Sequence, residues 1–140
     1  MTTLYTTTAT ASAGRNGQAS TDDGKLNVNL SYPKEMGGSG EHTNPEQLFA
    51  AGYAACFSNA VLHVAREGKI ALKAAPVSAQ VGIGPNAQGG FALSVSLAAT
   101  VDLPQAQAIT LIRTAHSVCP YSNAVKGNID VQLSVNGEVL

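Results

Sequence analysis

One stretch limits what this chain can fold into more than any other: the run from Asn44 to Gly68, which opens on Asn44-Pro45-Glu46-Gln47 and then carries almost no charge until Arg66. Asn44 supplies an N-cap and Gln47 stands at the third helical position of a capping box. Pro45 fills the first helical position, where a missing N–H costs nothing. Leu48, Phe49, Ala55, Cys56, Val61, Leu62 and Val64 follow, so the spacing predicts a helix from Pro45 to about Glu67, with Gly68 as a left-handed cap. A helix with so few charges has no strongly polar face, and it is expected to be central and largely buried.

The flanking sequence reads mainly as strand. Leu4 to Ala13 is rich in Thr and Ala, and Leu26, Val28, Leu30 and Tyr32 alternate after the turn signal Asp22-Asp23-Gly24, which together predict an N-terminal antiparallel sheet. Pro33 and Met36-Gly37-Gly38-Ser39-Gly40 break the pattern. Beyond the long helix, Ala74 to Ile83 and Phe91 to Val101 form a second alternating pair with a flexible glycine-rich tip. Asp102 is placed to cap a second helix with Pro104 in its early turn and Ala108, Leu111, Ile112 and Ala115 on its apolar face. Pro120 forces Cys119 out of the helical region, a short polar turn runs from Ser122 to Gly127, and Ile129, Val131, Leu133 and Val135 alternate in a last strand before Asn136-Gly137. This order predicts an α+β fold, segregated antiparallel sheets around two main helices, rather than a βαβ array.

A length of 140 residues suits a single domain, 1–140, with its own core. The formal charge of −1 and the 12% of charged residues offer no basic field, which argues against a nucleic-acid partner. That charged fraction is about half the globular norm, so further surface is expected to be buried in a homodimer or larger assembly. The N-terminus lacks the basic and apolar regions of a secretion signal, and no run is read as reaching the roughly 20 apolar residues of a membrane span. A cytoplasmic protein with no membrane partner is the expectation.

Cys56 and Cys119 are the only thiols, more than sixty residues apart. In a chain without a secretion signal they do not read as a structural staple, which directs attention to thiol chemistry. The plain alternative for Cys56 is a small buried hydrophobe packed among Ala51, Gly52, Ala54 and Ala55. Cys119, at a helix end closed by Pro120, has the mobility to approach a second sulfur. Arg15 lies in a glycine-flanked loop, either solvated or aimed inward. Glu46 in the first helical turn either complements the helix dipole or holds a guanidinium in a bidentate pair, which would place positive charge near a thiolate. His63 and His116 stand at helical spacings from the cysteines, but these are not the tight matched spacings of a zinc site, so no metal is expected. His42, in the loop before the helix, reads as solvated.

Taken together, Gly14-Arg15, Pro33 to Gly38, the long motif Thr43 to Phe57 and Val118-Cys119-Pro120-Tyr121-Ser122-Asn123-Ala124 closely resemble the organic hydroperoxide resistance proteins, within the wider family of osmotically inducible (OsmC/Ohr) peroxidases. The resemblance implies that Cys56 is the peroxidatic cysteine, that Cys119 resolves it through an intramolecular disulfide, and that Arg15 and Glu46 organise the site. It implies an intertwined homodimer with active sites at the subunit interface and no bound cofactor. The implied reductant is an external dithiol, dihydrolipoamide or a lipoylated protein. An organic hydroperoxide, alkyl or fatty-acid, is the implied substrate. Leu48, Phe49, Tyr53, Phe57 and Tyr121 are candidates for an apolar substrate wall and equally for ordinary core. Ten residues separate Glu46 from Cys56, so either the helix breaks near Gly52 or the Arg15–Glu46 pair serves the cysteine of another subunit. Oxidant sensing without turnover is the alternative class of function, and the osmotically inducible branch, with other substrate preferences, the nearer rival.

Overall fold

The computed structural model describes all residues, Met1–Leu140, in two compact units, Met1–Leu48 and Phe49–Leu140. The first unit is built on an antiparallel sheet of three short strands, β1 (Ala9–Ser12), β2 (Gln18–Thr21) and β3 (Asn27–Asn29), in that spatial order. Thr10 pairs with Ser20, and Ala19 with Val28. The β2–β3 turn is held by Asp23, whose carboxylate accepts from the Thr21 hydroxyl at 2.7 Å and the Lys25 amide at 3.0 Å, with Gly24 at φ 73°. The first strand is shorter than its composition predicts: Met1–Thr8 forms no strand, and Leu4 and Tyr5 are 97% and 77% exposed. β2 was not predicted, because Gln-Ala-Ser-Thr has no apolar alternation, and the ladders on both sides hold it in place.

The long helix α1 (Pro45–Glu67) starts as its sequence dictates, with Asn44 Oδ1 accepting from the Gln47 amide at 2.9 Å. Its end differs by one residue. The Ile70 amide bonds the Ala65 carbonyl at 2.8 Å and the Lys69 amide the Arg66 carbonyl at 3.0 Å, a Schellman pair in which Lys69 at φ 57°, rather than Gly68, takes the left-handed conformation. Nor is the helix largely buried. Tyr53, Phe57, Ala60, Val61 and Ala65 are buried, while Ala51, Ala55, Asn59 and His63 stay exposed. Contrary to expectation, α1 is long and apolar enough, by length and composition alone, to cross a membrane.

The second unit packs α1 from Phe49 onward and two further helices on a four-stranded sheet of order β4 (Val77–Pro85), β5 (Phe91–Ala99), β6 (Gln132–Val135) and β7 (Glu138–Val139). The predicted hairpin forms, with Val81 opposite Val95 and Ile83 opposite Leu93. β6, however, lies parallel to β5, so the sheet is mixed and holds one crossover connection that the expected antiparallel arrangement lacked. The crossover is made by α2 (Gln105–Val118) and α3 (Pro120–Val125), the latter standing where a polar turn was expected. Asp102 does not cap α2; Pro104 occupies the N-cap position and accepts from the Ala108 amide, which leaves Asp102 two residues too early. Tyr53, Phe57, Leu97, Ile112, Val61 and Val135 are the large fully buried side chains, and burying each contributes on the order of 2 kcal/mol.

Candidate active site

α1 carries Cys56 one position before the fully buried Phe57, so its sulfur sits half-buried at the core's edge. Cys119 is brought to it by the break between α2 and α3. Pro120 cannot continue α2, which leaves Cys119 extended at φ −64°, ψ 125°, both the last cap of α2 and the first of α3. Both cysteines are free thiols, with Cys119 donating to the Cys56 sulfur at 3.7 Å. A disulfide needs about 2.05 Å, so a modest shift at the helix break would bring the two sulfurs to bonding distance. The two sulfurs differ in access: Cys119 is 0% exposed, while Cys56 opens onto a pocket of about 220 Å³ that it shares with Asn59, Ala60, His63, Val118 and Pro120. Burial pushes the Cys56 thiol up from its ordinary value; the Tyr121 backbone N–H acts against this, and Cys119 adds to the rise.

Arg15 occupies a 3-10 turn (Gly14–Asn16) between β1 and β2, entered through two successive left-handed residues, Ala13 at φ 55° and Gly14 at φ 58°. Gly17 closes the turn so tightly that a β-carbon there would lie 1.5 Å from the Ser12 carbonyl oxygen. The turn aims the guanidinium at Glu46, and both carboxylate oxygens accept, at 2.7 and 2.5 Å. The Tyr32 ring lies 5.9 Å from the guanidinium carbon. The hydrogen bonds from Arg15 hold the Glu46 carboxyl below its usual range and, in return, raise the guanidinium further. This is the fork geometry open to Arg and not to Lys. α1 runs through Gly52 without a break, and in an unbroken helix ten residues rise roughly 15 Å.

Of the candidate wall residues, Phe49, Tyr53 and Tyr121 form one aromatic cluster, with ring centroids 5.6 to 6.3 Å apart. Tyr53 and Phe57 are 0% exposed, Leu48 and Phe49 half-buried, and Tyr121 39% exposed. Gly52 faces this cluster: a β-carbon there would lie 2.8 Å from the Tyr121 hydroxyl. His116 is turned away from any metal-like grouping, its Nδ1 lying 2.8 Å from the Ser122 hydroxyl; no three His, Cys, Asp or Glu side chains converge. His63 and His42 are exposed. Sequence reasoning missed Ser122, the Tyr121 amide, and Asn59 beside Cys56. Asn59 was findable, since i+3 from Cys56 on a helix is the same face. Ser122 in a polar-looking turn gave no such signal.

A family profile described as OsmC-like protein matches residues 38–134. The chain is 50% identical over 135 residues to the organic hydroperoxide resistance protein of Xanthomonas axonopodis pv. citri, covering 94% of each. It is 44% identical over 136 residues to the organic hydroperoxide resistance protein OhrB of Bacillus subtilis, covering 94% of this chain and 98% of that one. Among solved structures, a Vibrio cholerae protein assigned to organic hydroperoxide resistance, with captopril bound in one of its active sites, superposes with a TM-score of 0.98 at 73% identity, covering 100% of this chain and 97% of that one. With half its residues identical over nearly the whole length and the same fold, this chain belongs to the OsmC-like family, among the organic hydroperoxide resistance proteins.

Proposed function

We propose that this protein is a thiol-dependent peroxidase that reduces organic hydroperoxides to alcohols. The observation that carries the reading is the pair of free thiols 3.7 Å apart, one open to a pocket and the other wholly enclosed. The relatives named for organic hydroperoxide resistance point to the same substrate class. The Cys56 thiolate attacks the terminal peroxide oxygen, the O–O bond breaks, and the alkoxide takes up a proton to leave as alcohol, with Cys56 left as a sulfenic acid. The Cys119 sulfur then attacks the Cys56 sulfur; the S–S bond forms as the S–O bond breaks, and the hydroxide departs with the Cys119 proton as water. An external dithiol, dihydrolipoamide or a dihydrolipoyl group on a protein, restores both thiols by exchange. The natural setting is the reducing cytoplasm.

Burial alone makes Cys56 a poor nucleophile, so the reaction needs a cation beside it. Arg15, fixed by the Glu46 fork, is that cation, and it stabilises both the thiolate and the charge developing on the peroxide. With α1 unbroken and roughly 15 Å of rise between Glu46 and Cys56, we assign the pair to the cysteine of a partner subunit in a homodimer. The uncovered apolar side chains Leu4, Tyr5, Phe91 and Val139, 62 to 97% exposed, support a partner. Phe49 and Tyr121 offer the alkyl group an apolar wall, with Tyr53 and Phe57 as its buried backing.

Catalytic amounts of protein with excess dihydrolipoamide should consume cumene hydroperoxide over many turnovers and hydrogen peroxide more slowly. Cys56→Ser should stop both. Consumption limited to one equivalent would mean sensing instead of turnover, and substantial activity in Cys56→Ser would end the proposed mechanism.

A further inference from the structure

Ser122 is a buried serine of the Phe49–Leu140 unit, 3% exposed. Its hydroxyl lies 2.7 Å from the Tyr53 hydroxyl and 2.8 Å from His116 Nδ1. Proton counting orients this chain. The phenol of Tyr53 is fully buried and has no other partner, so it must donate to Ser122. Ser122 has a single proton, which then goes to His116 Nδ1, and the imidazole is the neutral tautomer with its proton on Nε2. Each member stands three residues from a reactive sulfur: Tyr53 before Cys56 on α1, His116 before Cys119 on α2, and Ser122 after Cys119 on α3. The chain therefore ties together the three helices that position the two thiols.

We propose that Tyr53, Ser122 and His116 are positioning residues that hold the Cys119 sulfur within reach of Cys56 and so set how fast the disulfide forms relative to a second oxidation of Cys56. The inference rests on the peroxidase reading above. The step served is attack of the Cys119 sulfur on the Cys56 sulfenic acid with loss of water; the competing step is a second hydroperoxide oxidising that sulfenic acid to sulfinic acid and leaving as alcohol. Cys119 lies in the extended break between α2 and α3, where its amide donates to the Ala115 carbonyl and its carbonyl accepts from the Asn123 amide, both at 2.9 Å, so each helix holds its backbone from one side. The Ser122 hydroxyl, one turn further along α3, adds the side-chain tie that fixes α3, and with it Cys119, against α1 and α2.

Protonation of His116 reverses the chain. Nδ1–H would then donate to Ser122, Ser122 to Tyr53, and the buried phenol proton would lose its acceptor. Burial lowers the His116 pKa from its ordinary value, so the anchoring is intact at neutral pH and is lost on the acid side. The charged groups around His116 are Arg113 from α2 and Lys126 and Asp130 from the segment after α3, which share with it a pocket of about 370 Å³. From α1 the uncharged Phe57 ring lies against it, centroids 6.4 Å apart, and it forms no ion pair.

The test is single-turnover oxidation of the reduced full-length protein by cumene hydroperoxide, quenched with a thiol-blocking reagent and read by intact mass. Ser122→Ala and His116→Leu should form the disulfide roughly tenfold more slowly and, under excess hydroperoxide, accumulate sulfinic acid. His116→Asn, whose amide oxygen can accept the Ser122 proton near where Nδ1 stood, should recover most of the wild-type rate at pH 7. It should also lack the additional acid-side fall of the wild type, a signature that a merely destabilised variant does not give. Disulfide formation at the wild-type rate in Ser122→Ala and His116→Leu, or an unchanged pH profile in His116→Asn, would overturn the inference. Failure of wild-type Cys56 to react at all is a different result, and it removes the peroxidase reading together with what rests on it.

Discussion

Gly52→Ala probes a close approach between α1 and the α3 segment. Gly52 sits mid-helix with no positive φ, so the substitution is conformationally free and should raise helix stability by about 1 kcal/mol. Against this, the new methyl would lie 2.8 Å from the Tyr121 hydroxyl and 3.2 and 3.3 Å from two ring carbons. Tyr121 has to retreat by roughly half an ångström to reach ordinary contact. It is 39% exposed, so the ring has somewhere to go, and the cost of overpacking falls at the low end, about 1 kcal/mol. The two terms offset, and urea unfolding should show a change within about 1 kcal/mol of wild type. Function should not be spared. Tyr121 packs on Tyr53 at 5.6 Å, its amide acts on the Cys56 sulfur, and it forms the exposed side of the proposed wall. We expect Cys56 oxidation by cumene hydroperoxide, followed by rapid quench and intact mass, to slow by about tenfold. An oxidation rate equal to wild type would refute the reasoning, because the placement of Tyr121 would then not matter to the reacting sulfur; a loss above about 3 kcal/mol would show that the ring has no room to retreat.

Cys119→Ser should leave Cys56 as a sulfenic acid, seen by intact mass as one added oxygen and then a second; normal cycling with a dithiol would show that Cys119 is not obligatory. Arg15→Ala should slow Cys56 oxidation on the order of a hundredfold, about 3 kcal/mol, with Arg15→Lys recovering only part because an ammonium lacks the planar fork. Stopped-flow comparison at equal pH decides this, and a wild-type rate in Arg15→Ala removes the roles of both Arg15 and Glu46. Because Arg15 holds the Glu46 carboxyl below its usual range, the pair's contribution to stability is complete above the unfolded-state value of roughly 4.3 and is lost as pH falls through the lower folded value. Urea midpoints of wild type and Glu46→Gln should therefore converge on acidification below about pH 4, and a constant gap down to pH 2 would contradict the assignment.

What the sequence made legible was local, and the particular misses show why. α1 was readable because its start is specified by four adjacent residues, and the Asn44 cap forms as those residues require. The β4–β5 hairpin was readable because two alternating runs around a glycine-rich tip are properties of one contiguous stretch. The direction of β6 is not such a property: it depends on which end of the sheet α2 and α3 return the chain to, and the alternation of Val131, Leu133 and Val135 is the same for either direction. Ser122 was opaque for a related reason, since a serine in a polar stretch becomes a buried bridge only once α1 and α2 supply Tyr53 and His116. The same limit applies to the chemistry. Two cysteines and a Pro-broken helix direct attention to thiol chemistry, but their own surroundings push Cys56 away from the ionised form that the proposed reaction needs. The Arg15–Glu46 fork ties the turn between β1 and β2 to the first turn of α1, and the same helix carries Cys56 ten residues later without a break. On the proposed reading the cation that activates Cys56 comes from a partner subunit, and the decisive readout is a mixed dimer in which one subunit carries Arg15→Ala and the other Cys56→Ser. If the pair acts across subunits, only one of the two sites in such a dimer is built from mutant parts alone, and the other keeps an intact Arg15 facing an intact Cys56. If the pair acts within a subunit, neither site has both.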